Sequence, residues 1–461
     1  MAPSIQFNGA AETVTGSQHV ITVNGKRIMV DCGLFQGPRE IRERNWEPFA
    51  FEPHEIDAVV LTHAHTDHIG LLPRLIAKGY RGPVYATPGT IGLCKISLPD
   101  GGRLQEEEAS YHNRHQTSRH NPAAPLYTEA DAYAALKQLV PVHFFQLHDL
   151  PGGAQFRFLP AGHILGSGFA EIYFENGERI LMGGDLGRYD TPLLKDPHAC
   201  THAEYLVIES TYGDRFHADE NPQDVLREVI QYIHERQSCA VVPSFAIGRT
   251  QELLWHIHEL EQRGEIPHVP IFVDSPMASA TTLLYNAPSD DMDPDLKLDI
   301  QENNSPFRAD MVRFIRDRNA SKALNTNDGP LMIISGSGMA NGGRVVHHLR
   351  QRLPHKENVV LFTGYQAAET RGRRILEGAD TISIFGDEIP VRCRVAKLNS
   401  LSAHADQNEI MRWLGGFQEA PRKTFIVHGE PSAQAVLAER IQRELGWDYV
   451  IPHHQQSFSL G

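Results

Sequence analysis

The stretch LTHAHTDHIG, residues 61–70, decides how the rest of the chain is interpreted. It holds three histidines and one aspartate within six positions, and it overlaps the end of the β-branched run IDAVVL (56–61), which is typical of a buried strand. Imidazoles and carboxylates are the usual zinc ligands where thiolates are absent. The spacing therefore predicts a metal site at the end of a strand, and it disfavours the alternative of a solvated histidine-rich loop.

The cluster itself indicates two metal ions. Alternate residues of an extended segment share a face, so His63 and His65 can bind one ion from the same side. Asp67 and His68 begin the next turn and can reach a second ion. Two ions need more ligands than these four residues provide.

Three further candidates follow strand-like runs later in the chain. They are His163 in LPAGHILGSG, Asp185 in ILMGGDLGR and His428 in FIVHGE. A carboxylate at position 185 can bridge two metals. A lone histidine after a strand is more often a structural residue than a ligand, but the cluster at 63–68 favours the ligand interpretation here.

Composition restricts the class of protein. The 461 residues exceed what one hydrophobic core usually supports, so two or three domains are expected. A net charge of −14 does not attract polyanions at long range, so nucleic-acid binding would require a local basic groove. There is no apolar run of membrane-spanning length, no signal peptide at MAPSIQFNGA and no CxxC pair among the five cysteines, so we expect a cytoplasmic protein without disulfides.

The pattern of predicted secondary structure changes after Gly213. Four apolar runs each precede a helix-like segment, namely CAVVP (239–243), VPIFV (269–273), PLMII (330–334) and NVVLF (358–362). Such βα repeats predict a mostly parallel, doubly wound sheet. We predict a first domain at 1–212, an inserted domain at 213–394 and a return to the first domain at 395–461.

Two polar segments are expected to lie outside the core. NAPSDDMDPDLKLDIQENNS (286–305) contains prolines and many charges, which predicts an insertion or a lid. HNRHQTSRH (112–120) is predicted to be a polar loop after a helix, because its histidines lack ligand spacing towards any strand end.

The motifs HAHTDH, GH and GDLGR together resemble the metallo-β-lactamase superfamily. The resemblance implies an αββα sandwich with a dinuclear zinc site, that is, two Zn²⁺ per chain. It also implies the ligand sets: His63, His65 and His163 on one ion, Asp67, His68 and His428 on the other, and Asp185 bridging. Asp31 in VDCG matches a motif that supports the loops of the site without binding metal.

Six other motifs narrow the resemblance to the β-CASP nucleases over essentially the whole chain: VIESTYGDR, SFAIGRTQE, DSPMA, SGSGMANGGR, SLSAHAD and HGE. The fold implied is the sandwich with an inserted β-CASP domain. Glu209, His404 and His428 match the family's motifs A, B and C. Members that act on DNA tend to carry valine at motif C, whereas those that act on RNA carry histidine, so His428 favours RNA.

Phosphodiester hydrolysis assigns roles to three of these residues. Two zinc ions can activate a water molecule and neutralise the phosphate. Asp67 can accept the proton of that water, and a protonated His404 can donate to the leaving oxygen. Glu209 can orient His404 and favour its protonated form, although spacing alone supports a helix cap or a surface salt bridge equally well.

The βα turns of the inserted domain provide candidate phosphate contacts. Backbone N–H groups and helix N-termini at such turns favour anions. The candidate substrate-binding residues are Ser244, Arg249, Ser335, Gly336, Ser337 and Arg344. The alternative is that the glycines only form tight turns and that the arginines are solvated.

The sequence therefore predicts a zinc-dependent ribonuclease that cuts single-stranded RNA in a slot between the two domains. The main alternative is a small-molecule hydrolase of the same superfamily, such as a lactamase, thioesterase or phosphodiesterase, in which the inserted domain has no evident role. A binding protein with a dead site is disfavoured, because every expected ligand is present. No motif distinguishes exonuclease from endonuclease action, and a homodimer is compatible with the sequence but established by no feature of it.

Overall fold

The computed structural model describes residues 2–118, 122–367 and 369–461. The chain forms two compact units, unit 1 with Met1–Phe216 and His404–Gly461, and unit 2 with His217–Ala403. Strand Arg394–Lys397 pairs in parallel with Val359–Phe362 of unit 2. The border predicted at 395 thus falls inside a strand of unit 2.

Unit 1 contains two seven-stranded sheets. In spatial order, the first consists of β22 (Gln456–Ser459), β1 (Ser4–Phe7), β2 (His19–Val23), β3 (Lys26–Val30), β4 (Ala58–Val60), β5 (Val84–Ala86) and β6 (Leu139–Pro141). The second consists of β21 (Tyr449–Val450), β20 (Lys423–Val427), β11 (Tyr205–Glu209), β10 (Arg179–Met182), β9 (Gly168–Tyr173), β8 (Gln155–Pro160) and β7 (His148–Asp149).

One apolar core joins the two sheets of unit 1. Ile21 and Val30 of the first sheet pack with Phe158 and Ile172 of the second, because alternate residues of each strand point inwards. The opposite face of the second sheet packs against two C-terminal helices, for example through Trp413. This layering confirms the predicted αββα sandwich.

The helices of unit 1 are α1 (Arg39–Glu43), α2 (Thr66–Ile69), α3 (Leu72–Ala77), α4 (Pro88–His115), α5 (Glu129–Leu136), α13 (Gln407–Leu414) and α14 (Pro431–Leu445). Because α4 continues to His115, the start of the segment 112–120 is helical, and the prediction of a loop there was wrong. His120 lies outside the described residues. Between β2 and β3, Asn24 and Gly25 have φ values of 48° and 77°, as the Asn-Gly turn signal predicts.

Unit 2 is built on a six-stranded sheet whose neighbouring strands all run in parallel. Its spatial order is β14 (Val312–Phe314), β13 (Ile271–Val273), β15 (Leu331–Ser335), β12 (Cys239–Pro243), β16 (Val359–Phe362) and β19 (Arg394–Lys397). β17 (Thr381–Ile384) and β18 (Asp387–Pro390) form a separate hairpin. The four predicted strands of the inserted domain are all present.

The helices of unit 2 are α6 (Pro222–Arg236), α7 (Arg249–Gln262), α8 (Pro276–Tyr285), α9 (Pro294–Gln301), α10 (Arg318–Ala323), α11 (Arg344–Arg352) and α12 (Arg371–Leu376). The segment 286–305 contains α9 and buries Met292 and Leu296. It therefore contributes to the packed interior, and its prediction as an insertion outside the core was wrong. Within the described ranges of both units, no helix combines the length and the apolar character that a bilayer span requires.

Candidate metal centre and active site

Strand direction brings the candidate ligands of unit 1 to one edge. β10, β11 and β20 run in parallel, and β8 shares their direction because β8 and β10 are both antiparallel to β9. Residues that follow the carboxyl ends of these strands therefore lie close together. His163, Asp185 and His428 follow β8, β10 and β20, and His63 follows β4 of the facing sheet.

The first ligand group contains His63, His65, His163 and Asp185. His65 Nδ1 lies 3.2 Å from His63 Nε2 and 3.1 Å from His163 Nε2. Asp185 Oδ2 lies 3.3 Å from His63 Nε2 and 3.4 Å from His163 Nε2. The three histidines that the resemblance assigned to one ion thus surround one oxygen of Asp185.

The second ligand group contains Asp67, His68 and His428. His428 Nε2 lies 3.1 Å from His68 Nε2 and 3.3 Å from Asp67 Oδ2. The other oxygen of Asp185, Oδ1, lies 3.3 Å from His68 Nε2 and 3.6 Å from His428 Nε2. Each carboxylate oxygen of Asp185 therefore faces one group, which is the arrangement of a bridging ligand.

These distances fit zinc. For bonds of about 2.0–2.1 Å, the edge of a coordination tetrahedron is about 3.3 Å, and the separations within the first group are 3.1–3.4 Å. Asp185 Oδ1 is buried and makes no hydrogen bond to any described residue. A bound cation would satisfy this oxygen, which is otherwise costly to bury.

Burial controls the charge of the first group. It lowers the pKa of His63 and His163, and it lowers the pKa of His65 to about 3. These three imidazoles are therefore neutral near pH 7, with a lone pair available for a cation.

The histidines of the second group differ from those of the first in their protonation. Burial again favours the neutral imidazole, but the charge of Asp185 outweighs it and raises the pKa of both His68 and His428. Asp31 adds to the effect on His68, and Asp67 adds to the effect on His428. Protons on these two histidines balance the carboxylates, and a bound cation would displace them.

Two neighbouring side chains orient ligands of the second group. Asp31 Oδ2 accepts a hydrogen bond from His68 Nδ1 at 2.7 Å, and its Oδ1 accepts one from the backbone N–H of Thr62 at 2.8 Å. Thr211 Oγ1 lies 3.0 Å from His428 Nδ1. In both histidines Nδ1 is occupied, so Nε2 faces the other ligands. Sequence analysis missed Thr211, although it lies only two residues after Glu209.

Thr211→Val is expected to weaken zinc binding by about 10–100-fold, because outer contacts of ligating histidines have effects of this size. Valine keeps the shape of threonine and removes the oxygen that orients His428. Thr211→Ser keeps the hydroxyl and should bind zinc nearly as well as the wild type. Zinc titration of the metal-free proteins measures the difference, and equal affinities for the two variants would contradict the orienting role.

Glu209 and His404 form a hydrogen-bonded pair beside the ligand groups, in which Glu209 is buried and His404 is partly buried. Glu209 is the last residue of β11 and is fully buried, and its Oε1 accepts the backbone N–H of Leu186 at 2.7 Å. His404 Nδ1 lies 3.1 Å from Glu209 Oε1 and 3.8 Å from Asp185 Oδ2. Burial opposes protonation of His404, but these two carboxylates raise its pKa to about 9. Glu209 is neither a helix cap nor a surface ion-pair partner.

The candidate substrate residues lie at the carboxyl edge of the unit 2 sheet. Ser244 follows β12, Ser335 ends β15, and Gly336 and Ser337 continue from it. Some of these groups already bond within the unit: Ser335 Oγ donates to the carbonyl of Asp274 at 2.9 Å. Four of the six predicted substrate residues, Ser244 and Ser335 to Ser337, therefore lie at one edge of the sheet.

The two arginines differ in their surroundings. Arg344 Nη1 donates to Asp274 Oδ1 at 2.7 Å, and its Nη2 donates to the carbonyl of Arg316 at 2.8 Å. These bonds use part of the guanidinium's five donors within unit 2, and phosphate binding by Arg344 stays a prediction. Arg249 begins α7 and lies against Gly364, where a Cβ atom would approach its Nη1 to 2.6 Å.

Two exposed aromatic side chains at the same edge were missed by sequence analysis. Phe245 follows Ser244 and is 45% exposed, and Tyr365 lies beyond β16 and is 40% exposed. β12 and β16 are neighbours in the sheet, so both rings belong to one edge. The sequence signal that could have identified these two residues is an aromatic residue just after a strand, next to glycine-rich turns.

Family models match most of the chain. The metallo-beta-lactamase superfamily matches residues 12–220, the Beta-Casp domain matches 250–375, and the Zn-dependent metallo-hydrolase RNA specificity domain matches 388–452. These matches cover every residue of the two ligand groups and five of the six strands of the inserted sheet, whereas β12 lies between two matched ranges.

Individual relatives align with nearly the full length of this chain. A protein named ribonuclease from Thermus thermophilus is 37% identical and covers 94% of each chain. Transcription termination factor FttA from Methanosarcina mazei is 30% identical over 95% of this chain and 68% of its own. An RNase J-like protein from Methanocaldococcus jannaschii is 29% identical over 97% of both. A solved structure of a protein of unknown function from Enterococcus faecalis has a similar fold, with a TM-score of 0.60 at 12% identity and full coverage of both chains.

Proposed function

The chain belongs to the β-CASP family of the metallo-β-lactamase superfamily and is a metal-dependent hydrolase, and from this premise we propose that it is a zinc-dependent ribonuclease of single-stranded RNA. The observation that carries the proposal is the Glu209–His404 pair beside the two ligand groups. An alkoxide is a poor leaving group and needs a proton, whereas the thiolate released from a thioester does not. A partly buried, protonated imidazole suits the phosphodiester.

The two ligand groups are proposed to hold two zinc ions in each chain, with Asp185 between them. When bound, zinc polarises the scissile phosphate and lowers the pKa of the attacking water. The protein presents neutral imidazoles and ionised carboxylates to the metal ions at fixed positions. The strand ends fix these positions, and the bonds from Asp31 and Thr211 orient His68 and His428.

Asp67 is proposed to accept the proton of the attacking water. Its side chain is 19% exposed, compared with 1% for Asp185, so Asp67 is the ligand carboxylate that solvent reaches. Burial raises its pKa, but His428 and His68 outweigh burial and lower it, which keeps Asp67 ionised.

His404 is proposed to donate the proton to the leaving oxygen. Its Nδ1 faces Glu209, so in this role Nε2 carries the proton that is transferred. The side chain is 20% exposed, which gives substrate access to the ring. Glu209 acts through His404 as a positioning residue.

A direct comparison of substrates tests the proposed activity. The purified protein with zinc should cleave labelled single-stranded RNA, and cleavage of DNA of the same sequence and of a chromogenic lactam should be at least about tenfold slower. The His428 at motif C and the matched RNA specificity domain motivate the preference for RNA. Rapid lactam hydrolysis without RNA cleavage would instead support a small-molecule hydrolase.

RNA bases are proposed to stack on Phe245 and Tyr365 at the carboxyl edge of unit 2, next to Ser244, Arg249 and the turn at 335–337. Stacking on an aromatic ring contributes about 1–3 kcal/mol for each base. Phe245→Ala should therefore weaken binding of single-stranded RNA by about tenfold. Phe385→Ala, which removes a 58% exposed ring from another part of unit 2, is the matched control. Equal losses in both variants would exclude a specific stacking role.

A further inference from the structure

The hydroxyl group of Thr62 connects residues that serve both ligand groups, although Thr62 is itself a member of neither. The residue directly precedes His63 and is 1% exposed. Its Oγ1 lies 3.2 Å from His63 Nδ1, and it lies 3.1 and 2.9 Å from the two carboxylate oxygens of Asp31. One hydroxyl therefore contacts a ligand of the first group and the carboxylate that orients His68 of the second group.

The chemistry of these partners fixes the direction of each hydrogen bond. A hydroxyl has one hydrogen and a carboxylate has none, so Thr62 Oγ1 donates its hydrogen to Asp31. The lone pairs of Oγ1 then face His63 Nδ1, which must carry a hydrogen for the two atoms to bond. In a neutral imidazole the other nitrogen keeps the lone pair. That nitrogen, Nε2, is the atom that lies 3.3 Å from Asp185 Oδ2 in the first ligand group.

The same residue acts on the second group through Asp31. Thr62 Oγ1 donates to Asp31 Oδ2, which also accepts the hydrogen bond from His68 Nδ1 at 2.7 Å. The backbone N–H of Thr62 donates to Asp31 Oδ1 at 2.8 Å. Because Thr62 binds both carboxylate oxygens, it fixes the plane of the Asp31 carboxylate and thereby the direction of the His68 ring.

The surroundings of Thr62 confine its side chain. The carbonyl of Thr62 accepts the backbone N–H of Gly168 at 2.9 Å. A Cβ atom at position 184 would lie 2.8 Å from both Cβ and Oγ1 of Thr62, so Gly184 allows the turn before Asp185 to pack directly on this side chain. The hydroxyl is therefore held where it reaches His63 and Asp31.

We propose that Thr62 is a positioning residue for both zinc sites: it fixes the tautomer of His63 directly and the orientation of His68 through Asp31. The inference rests on the proposed two-zinc centre. Removal of this one hydroxyl should therefore weaken the binding of both ions.

Stepwise zinc titration of the metal-free full chain against a chromophoric chelator tests the proposal. Thr62→Val keeps the branched shape and should weaken each of the two binding steps by about 10–100-fold. Thr62→Ser keeps the hydroxyl and should bind zinc nearly as well as the wild type. Thr424→Val is the matched control and should also bind like the wild type, because Thr424 is fully buried in unit 1 and its Oγ1 bonds to no described residue.

The titration separates failure of this inference from failure of the proposed metal centre. If the wild type binds two zinc ions, unchanged affinity in Thr62→Val, weakening of a single step, or an equal loss in Thr62→Ser would overturn the positioning role. A wild type that binds no zinc would refute the metal centre, and the inference with it.

Nitrogen NMR provides a test that does not depend on the folding of a variant at position 62. In the zinc-free wild type with isotopically labelled histidine, the two ring nitrogens of a neutral imidazole have distinct resonances. Those of His63 can be assigned by their loss in His63→Gln, and they should show the hydrogen on Nδ1. A hydrogen on Nε2 of His63 would overturn the proposal.

Discussion

Asp185→Asn is expected to remove most of the bound zinc and to lower RNA turnover on the order of 10³-fold or more. The two oxygens of Asp185 each face one ligand group, at 3.3 Å from His63 Nε2 and 3.3 Å from His68 Nε2. Asparagine has nearly the same shape, but it carries no charge and replaces one oxygen with an N–H donor. An N–H group cannot coordinate a cation, so one group loses its bridge.

Metal content and turnover should be measured on the same preparations. The wild type is expected to contain close to two zinc ions per chain, and chelation should abolish its activity until zinc is restored. Asp190→Asn is the matched control, because the Asp190 side chain is 87% exposed and lies in the same unit. Wild-type zinc content and turnover in Asp185→Asn would refute the bridging role.

The metal centre could be anticipated from the sequence because its ligands come shortly after the ends of apolar strands, with the cluster at 63–68 following β4. His163, Asp185 and His428 come after β8, β10 and β20, and parallel strand direction is enough to gather them. The position of the ligands after apolar runs and the direction of the strands together predict the metal site. The ligand assignment to each ion came from the family resemblance, and the distances are consistent with it.

The features that sequence analysis did not predict depend on contacts between residues that are far apart along the chain. The bond from Thr211 to His428 spans 217 positions, and the bond from Arg344 to Asp274 spans 70. Neither is visible in a local pattern, so Thr211 was overlooked and the bond from Arg344 to Asp274 was not foreseen. The polar, proline-containing composition also misled the prediction for 286–305, because Leu296 of the eight-residue helix α9 and Met292 just before that helix are both buried.

His404→Ala is expected to retain zinc and to lose about 10²–10⁴-fold in RNA turnover, which is the usual range for removing a general acid. His404 Nδ1 lies 3.1 Å from Glu209 Oε1, and His404 belongs to neither of the two proposed zinc ligand groups, although it forms a further potential metal-binding set with Asp185 and Glu209. The zinc content of the variant should therefore be measured together with its turnover. His453→Ala removes an imidazole that is 70% exposed, and it should behave as the wild type. Unchanged turnover in His404→Ala would exclude proton donation by this residue.

The pH profile separates proton donation from a purely structural role of His404. Glu209 and Asp185 raise the pKa of His404 to about 9, and zinc bound at Asp185 would lower this value by neutralising part of the charge. A general acid acts in its protonated form, so turnover should fall as the pH rises through this pKa, at or below about pH 9. Glu209→Gln removes a charge that raises the pKa of His404 and should move the alkaline limb of the pH profile to lower pH, whereas His404→Ala should lack this limb.

A change of leaving group provides a second test of His404. A phosphodiester with a nitrophenolate leaving group needs little protonation, so His404→Ala should lose much less activity on it than on RNA. An equal loss on both substrates would show that His404 shapes the site and does not donate the proton.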